Sequence, residues 1–207
     1  MNLAVRLAIV AAATVPAVAF AADPKAEAIE YVNTNVVPML KNSKPVTDAV
    51  TKANTERSGW GEFSTDWKKW TPAEAAKQPD SYTKAEYRWS GQKDKSLRDQ
   101  CTSGEAASAM KDFQEKSNGR IGEFFVVDAK GGNVAQTQLT SDWFQGDEDK
   151  FTKVAGKKDA WADEPKRDDT IGKSGVQVSV PLWEKDAFIG VAVVTVLVNN
   201  ATASANP

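Results

Sequence analysis

The stretch Ile121-Gly-Glu-Phe-Phe-Val-Val-Asp128-Ala-Lys-Gly-Gly132-Asn133-Val-Ala-Gln-Thr-Gln138 decides the fold. From Ile121 to Val127 it is apolar, aromatic and β-branched. Asp128 to Gly132 supplies turn residues, and Asn133 to Gln138 runs back as a partner, so the stretch reads as a β-hairpin. The residues before it have a different period. Ile29, Val32, Val36 and Leu40 recur at helical spacing behind Asp23-Pro24, an N-cap followed by proline at the first helical position. Pro38 is expected to kink or end that helix. Lys44-Pro45 restarts a second piece with Val46, Ala49, Val50 and Ala53 on one face.

Further along, Trp60, Phe63, Trp67 and Trp70 fall near one stripe of an expected helix. Thr71-Pro72-Ala73-Glu74 is a capping box opening a short helix to about Lys77. Tyr82 to Gly91 reads as either a strand or an extended loop. Ser103 caps a helix running to Lys116, which Asn118-Gly119 stops. Beyond the hairpin, a short helix is expected around Glu148 to Ala155. Gly175 to Leu182 and Phe188 to Val198 then form a second strand pair, turned by Trp183 to Asp186. Helices first and antiparallel strands later make an α+β domain with the helices packed on one face of a sheet. No Gly-rich phosphate loop follows any strand.

Composition removes several function classes. The chain has no histidine and a single cysteine, Cys101. This leaves no His-based nucleophile pair, no Cys/His zinc site and no internal disulfide. Cys101 itself reads as a buried residue on a helix face. Acidic and basic residues are interspersed and the net charge is −2, so no nucleic-acid partner is expected. Asp128, Asn133 and Asp147-Glu148-Asp149 lack the spacing of a calcium loop, and no metal or cofactor is expected.

At the N-terminus, Arg6 precedes an apolar run from Leu7 to Val18 and the small residues Ala19, Ala21 and Ala22. That is the layout of a secretory signal, too short in its apolar part to span a bilayer. Cleavage is expected after Ala21 or Ala22. The expected organisation is a signal peptide at 1–21, a helical part at 22–118, a sheet part of the same domain at 119–198, and a polar tail at 199–207. The mature protein is expected to be periplasmic or secreted, without membrane insertion.

Phe124 to Thr137, continuing through Thr140-Ser141-Asp142-Trp143-Phe-Gln145-Gly146-Asp147-Glu148, resembles the Cache family of extracytoplasmic sensor domains, also called PDC sensors. Gly175-Val-Gln177-Val-Ser179-Val-Pro181-Leu and Phe188 to Val196 resemble that family's closing strand pair. The resemblance covers roughly 119–198. It implies a PAS-like fold, with a long N-terminal helix and a central antiparallel sheet that holds amino acids, organic acids or amines. No signalling domain follows here. The resemblance therefore implies a stand-alone, non-catalytic binding domain whose partners are a small-molecule ligand and a membrane-bound receptor or kinase. The alternative is an interaction protein of the same fold that docks on such a receptor without a ligand of its own.

The resemblance points to the segment after the first hairpin. There Asp142 and Asp147 can accept hydrogen bonds from an ammonium, Trp143 can stack on it, and Thr140 and Gln145 can orient it. In the alternative reading Asp142 and Asp147 are caps and Trp143 is core. Gln177 and Ser179 share the polar side of one strand, which lines a cavity or faces solvent. Arg88, beside Trp89, can pair with a carboxylate or form a surface ion pair.

Overall fold

A computed structural model of the chain describes residues 23–168 and 173–198. The signal segment at 1–21 and the tail at 199–207 lie outside the described residues. Helix α1 (Pro24–Tyr31) starts where Asp23 Oδ1 accepts the Lys25 N–H. It continues through a π-helical turn, Val32–Val36, into α2 (Val37–Asn42). Pro38 therefore does not end the helix. The wide turn ahead of it, closed by the Val37 N–H on the Val32 carbonyl, takes up the missing donor and the ring's bulk. Helix α3 (Lys44–Glu56) buries Val46, Val50 and Ala53.

Two expectations are corrected in the next segment. Trp60 to Trp70 is not one helix, and only Thr65–Lys69 forms a 3-10 turn. Ser64 Oγ accepts the Asp66 N–H, and Gly59 and Gly61 weaken a helix upstream. Tyr82 to Gly91 is neither strand nor loop. It is α5 (Tyr82–Glu86) followed by a π-helical turn, Tyr87–Gly91. Ser81 caps it by accepting the Lys84 N–H at 3.1 Å, and Tyr82, Ala85, Glu86 and Trp89 are buried at helical spacing. Between these lies α4 (Pro72–Lys77), with the expected capping box. Helix α6 (Lys95–Ser103) is capped by Asp94. Helix α7 (Glu105–Lys116) starts from Gly104, because Ser103 ends α6 with its hydroxyl donating to the Asp99 carbonyl.

The strands are β1 (Ile121–Asp128), β2 (Asn133–Gln136), β3 (Trp161–Ala162), β4 (Lys166–Asp168), β5 (Lys173–Glu184) and β6 (Ala187–Val198), with α8 (Asp149–Thr152) after β2. They form an antiparallel sheet in the order β2-β1-β6-β5-β3, with β4 also on β5. The β5–β6 turn is only Lys185-Asp186, since Trp183 and Glu184 pair with Phe188 and Ala187. The chain is thus α+β, with the N-terminal helix and central antiparallel sheet that the sequence resemblance implies.

One sheet face carries Phe124, Val126, Val176, Val178, Ala192 and Val194 against Ala28, Val32, Val50 and Met110 of α1, α3 and α7. The other face carries Phe125, Val127, Val191 and Val193, partly covered by Phe151 and Val154. A third cluster holds Tyr82, Trp89, Leu97, Cys101 and Trp143. Among the described residues no helix is long and apolar enough to cross a membrane.

The β1–β2 turn depends on Gly131, at φ +97°, where a Cβ would lie 2.3 Å from Gly146 Cα. Gly131→Ala combines left-handed strain with a backbone clash. It is expected to cost about 2–4 kcal/mol, read as a lowered urea midpoint at unchanged slope.

Candidate functional site

The sheet register brings together three polar side chains on the face opposite the long helix. Glu123 of β1 pairs with Thr195 of β6, which pairs with Gln177 of β5. This row floors a cleft of about 420 Å3, with Gln138, Glu164, Lys166 and Arg167 around it, within the size range of small-molecule sites. Lys166 is paired to Asp163 at 2.7 Å and Glu164 to Lys25 at 2.7 Å. The Glu123 carboxylate has no hydrogen-bond donor among the described residues. Burial raises its pKa, with the Lys150 ammonium opposing and Glu148 adding to the rise.

A carboxyl whose folded pKa is raised favours the folded state below its unfolded value, and that contribution is lost as pH rises through the folded value. Stability should therefore fall as pH rises from the ordinary value of 4.5 to the raised one. Glu123→Gln is expected to flatten that part of a pH–stability curve measured by urea unfolding.

A smaller cleft of about 190 Å3 brings Asp142 and Asp147 together with Glu86, Glu148, Trp67 and Phe144. Both aspartates are exposed. Glu86 is buried and accepts the backbone N–H groups of Trp143 and Phe144 at 2.8 Å each, besides a bond from the Ser90 hydroxyl. Burial raises the Glu86 pKa while those bonds work against the rise. The aromatic face beside the two aspartates is Trp67, and the Lys68 ammonium stands 5.7 Å from its ring centroid.

The remaining residues that the sequence singled out are dispersed. Trp143 is fully buried, packed against Trp60 and Tyr82. Gln145 is buried, with its amide donating to the Asp142 carbonyl at 2.7 Å and its oxygen accepting from Lys150 at 3.1 Å. Thr140 Oγ1 donates to that same carbonyl at 2.7 Å and accepts from Asn133 at 2.7 Å. It is the main chain of Asp142, not its carboxylate, that organises this network. Ser179 is buried with its hydroxyl unpaired, across from Trp161. Arg88 is paired to Asp94 at 2.8 Å, and the buried Trp89 donates to the Thr140 carbonyl at 3.1 Å.

Glu123 escaped the sequence reading. Its signal was present as the lone charge inside the apolar run from Ile121 to Val127. Thr195 carried no such signal.

No family model matches the chain, and no curated protein matches it. Among solved structures, the Pseudomonas aeruginosa amino acid chemoreceptor PctC ligand-binding domain, in complex with GABA, is 12% identical over 85% of this chain and 64% of that one, with a TM-score of 0.40. The Campylobacter jejuni chemoreceptor Tlp3 sensory domain with isoleucine bound is 13% identical over 86% and 64%, at a TM-score of 0.35. The sensor domain of the Vibrio cholerae histidine kinase DctB is 12% identical over 83% and 54%, at 0.34. All three are sensory or ligand-binding domains. This chain spans between 54% and 64% of their lengths.

Proposed function

We propose that the protein is an exported, non-catalytic small-molecule sensor or binding domain, periplasmic or secreted, whose ligand occupies the cleft on the sheet face. Glu123 carries this reading, as a half-buried carboxylate without a hydrogen-bond donor, at the head of the polar row with Thr195 and Gln177. Desolvating a carboxylate costs free energy that an incoming ammonium recovers. The ligand is accordingly an ammonium-bearing member of the amino acid, organic acid and amine classes. Gln177 and Thr195 orient it by hydrogen bonds. The receptor or kinase that reads the occupied state is a separate membrane protein.

A second reading, docking on a receptor without a ligand, draws on the interior around Trp143, which Trp60, Tyr82 and Arg57 fill. Against it, Leu139 is the single exposed large apolar residue among those described.

A thermal-shift screen of the exported chain against amino acids, amines and organic acids separates the two. A ligand that binds only the folded state raises the melting temperature with its saturation. The expected result is a shift with an ammonium-bearing compound that Glu123→Gln abolishes. No shift with any compound would favour docking, and a shift that survives Glu123→Gln would move the site elsewhere.

A further inference from the structure

A different cleft lies at the opposite end of the β5–β6 pair, where the elbow between α2 and α3 meets the β-hairpin. It encloses about 500 Å3 between Val37 and Leu40 of α2, Val46 of α3, Val180 and Leu182 of β5, and Ile189 of β6. Its lining also includes Lys41, Lys158 and Lys185, from three separate parts of the chain, and all three are exposed. Among the described residues none of these lysines has an ion-pair partner, and the Lys158 ammonium stands 3.4 Å from the Trp183 ring centroid. The single acid in the lining is Glu184, which accepts a hydrogen bond from Thr51 at 3.1 Å. Asp159 and Asp186, sequence neighbours of Lys158 and Lys185, do not line the cleft.

Apolar walls with a rim of unpaired ammonium groups select by two tests at once. A neutral hydrocarbon leaves the lysines unused, and a cation meets three like charges. A short anion reaches the lysines but leaves the walls wet. We propose that this cleft is a second binding site, for a small amphipathic carboxylate. The hydrocarbon body lies against Val37, Leu40, Val180 and Leu182, and the carboxylate sits among Lys41, Lys158 and Lys185. The site shares no residue with the cleft at Glu123.

Isothermal titration of the exported chain with octanoate, acetate and octylamine tests this. Octanoate is expected to bind saturably and acetate not at all, with octylamine at least about tenfold weaker than octanoate. Lys158→Gln combined with Lys185→Gln should weaken octanoate by about tenfold or more while leaving the melting curve unchanged, since both side chains are exposed. Lys41→Gln serves as an independent variant. Glu123→Gln should leave octanoate binding intact, which keeps this result separate from the fate of the sheet-face site. Absence of saturable octanoate binding, equal affinity for octanoate and octylamine, or unchanged affinity in the lysine variants would overturn the proposal.

Discussion

Replacing Arg57 with methionine is expected to destabilise the fold by about 3–5 kcal/mol, the cost of leaving a buried charge without its partner. The Asp128 side chain is fully buried, and the Arg57 guanidinium donates to its Oδ2 at 2.7 Å. The Tyr82 hydroxyl donates to the same oxygen at 3.1 Å, and the Lys130 and Gly132 N–H groups bond Oδ1. In Arg57→Met these three donors remain but the positive charge is gone. The Gly132 and Asn133 carbonyls, which also accept from Arg57 at 3.3 and 3.0 Å, lose their donor. Tying α3 to the β1–β2 turn and to α5, this pair joins elements distant in sequence. Asp128→Asn keeps the shape and should cost less. A double-mutant cycle by urea unfolding isolates the coupling, and a loss below about 1 kcal/mol in Arg57→Met would mean that the pair behaves as a solvated surface bridge.

Trp143→Ala should cost about 3–5 kcal/mol of stability, as expected for truncating a fully buried large aromatic. The indole is in contact with Tyr82 and Trp60 at centroid distances of 5.8 and 6.1 Å, and the Arg57 guanidinium lies 4.9 Å from its centroid. Removing it leaves a void between α5, the Trp60 segment and the β1–β2 turn. A thermal melt without ligand therefore reads the full loss. Glu123→Gln, in contrast, is expected to melt close to the parent at neutral pH and to lose only the ligand-induced shift. Comparing the two variants with and without ligand separates a residue that holds the fold from one that holds the ligand. A parent-like melt for Trp143→Ala would place the indole outside the core.

Much of the architecture was legible because local rules were obeyed. Asp23 and the Thr71–Glu74 box bond their own helix starts, and Val46, Val50 and Ala53 needed only a period of 3.6 to be recognised as a buried face. The strands of the C-terminal half followed from continuous runs of β-branched residues. Two failures have one cause. The aromatic spacing from Trp60 to Trp70 fits a helix, but Ser64 and the glycines break it. Tyr87 and Trp89 alternate like strand residues, but Ser81 caps a helix that buries Tyr82, Ala85, Glu86 and Trp89 together. In both places a single side-chain cap outweighed the pattern of large residues.

The residues suited to ligand contact were less legible, for a reason that concerns register. Gln177 was recognisable as the polar side of its strand, yet only antiparallel pairing sets Glu123, Thr195 and Gln177 in one row across β1, β6 and β5. The lysine-rimmed cleft is still less visible locally, since Lys41, Lys158 and Lys185 are brought together by the α2–α3 elbow and the hairpin.

By itself the sequence determined the α+β class, the succession of helices before strands and the exclusion of histidine-based chemistry. Each follows from composition or from periodicities spanning a few residues. Only the tertiary structure decided that Trp143 is core, that Arg57 pairs with Asp128 and that Glu123 heads a polar row. Burial and pairing at those positions are set by residues tens of positions away, whose approach no local pattern encodes.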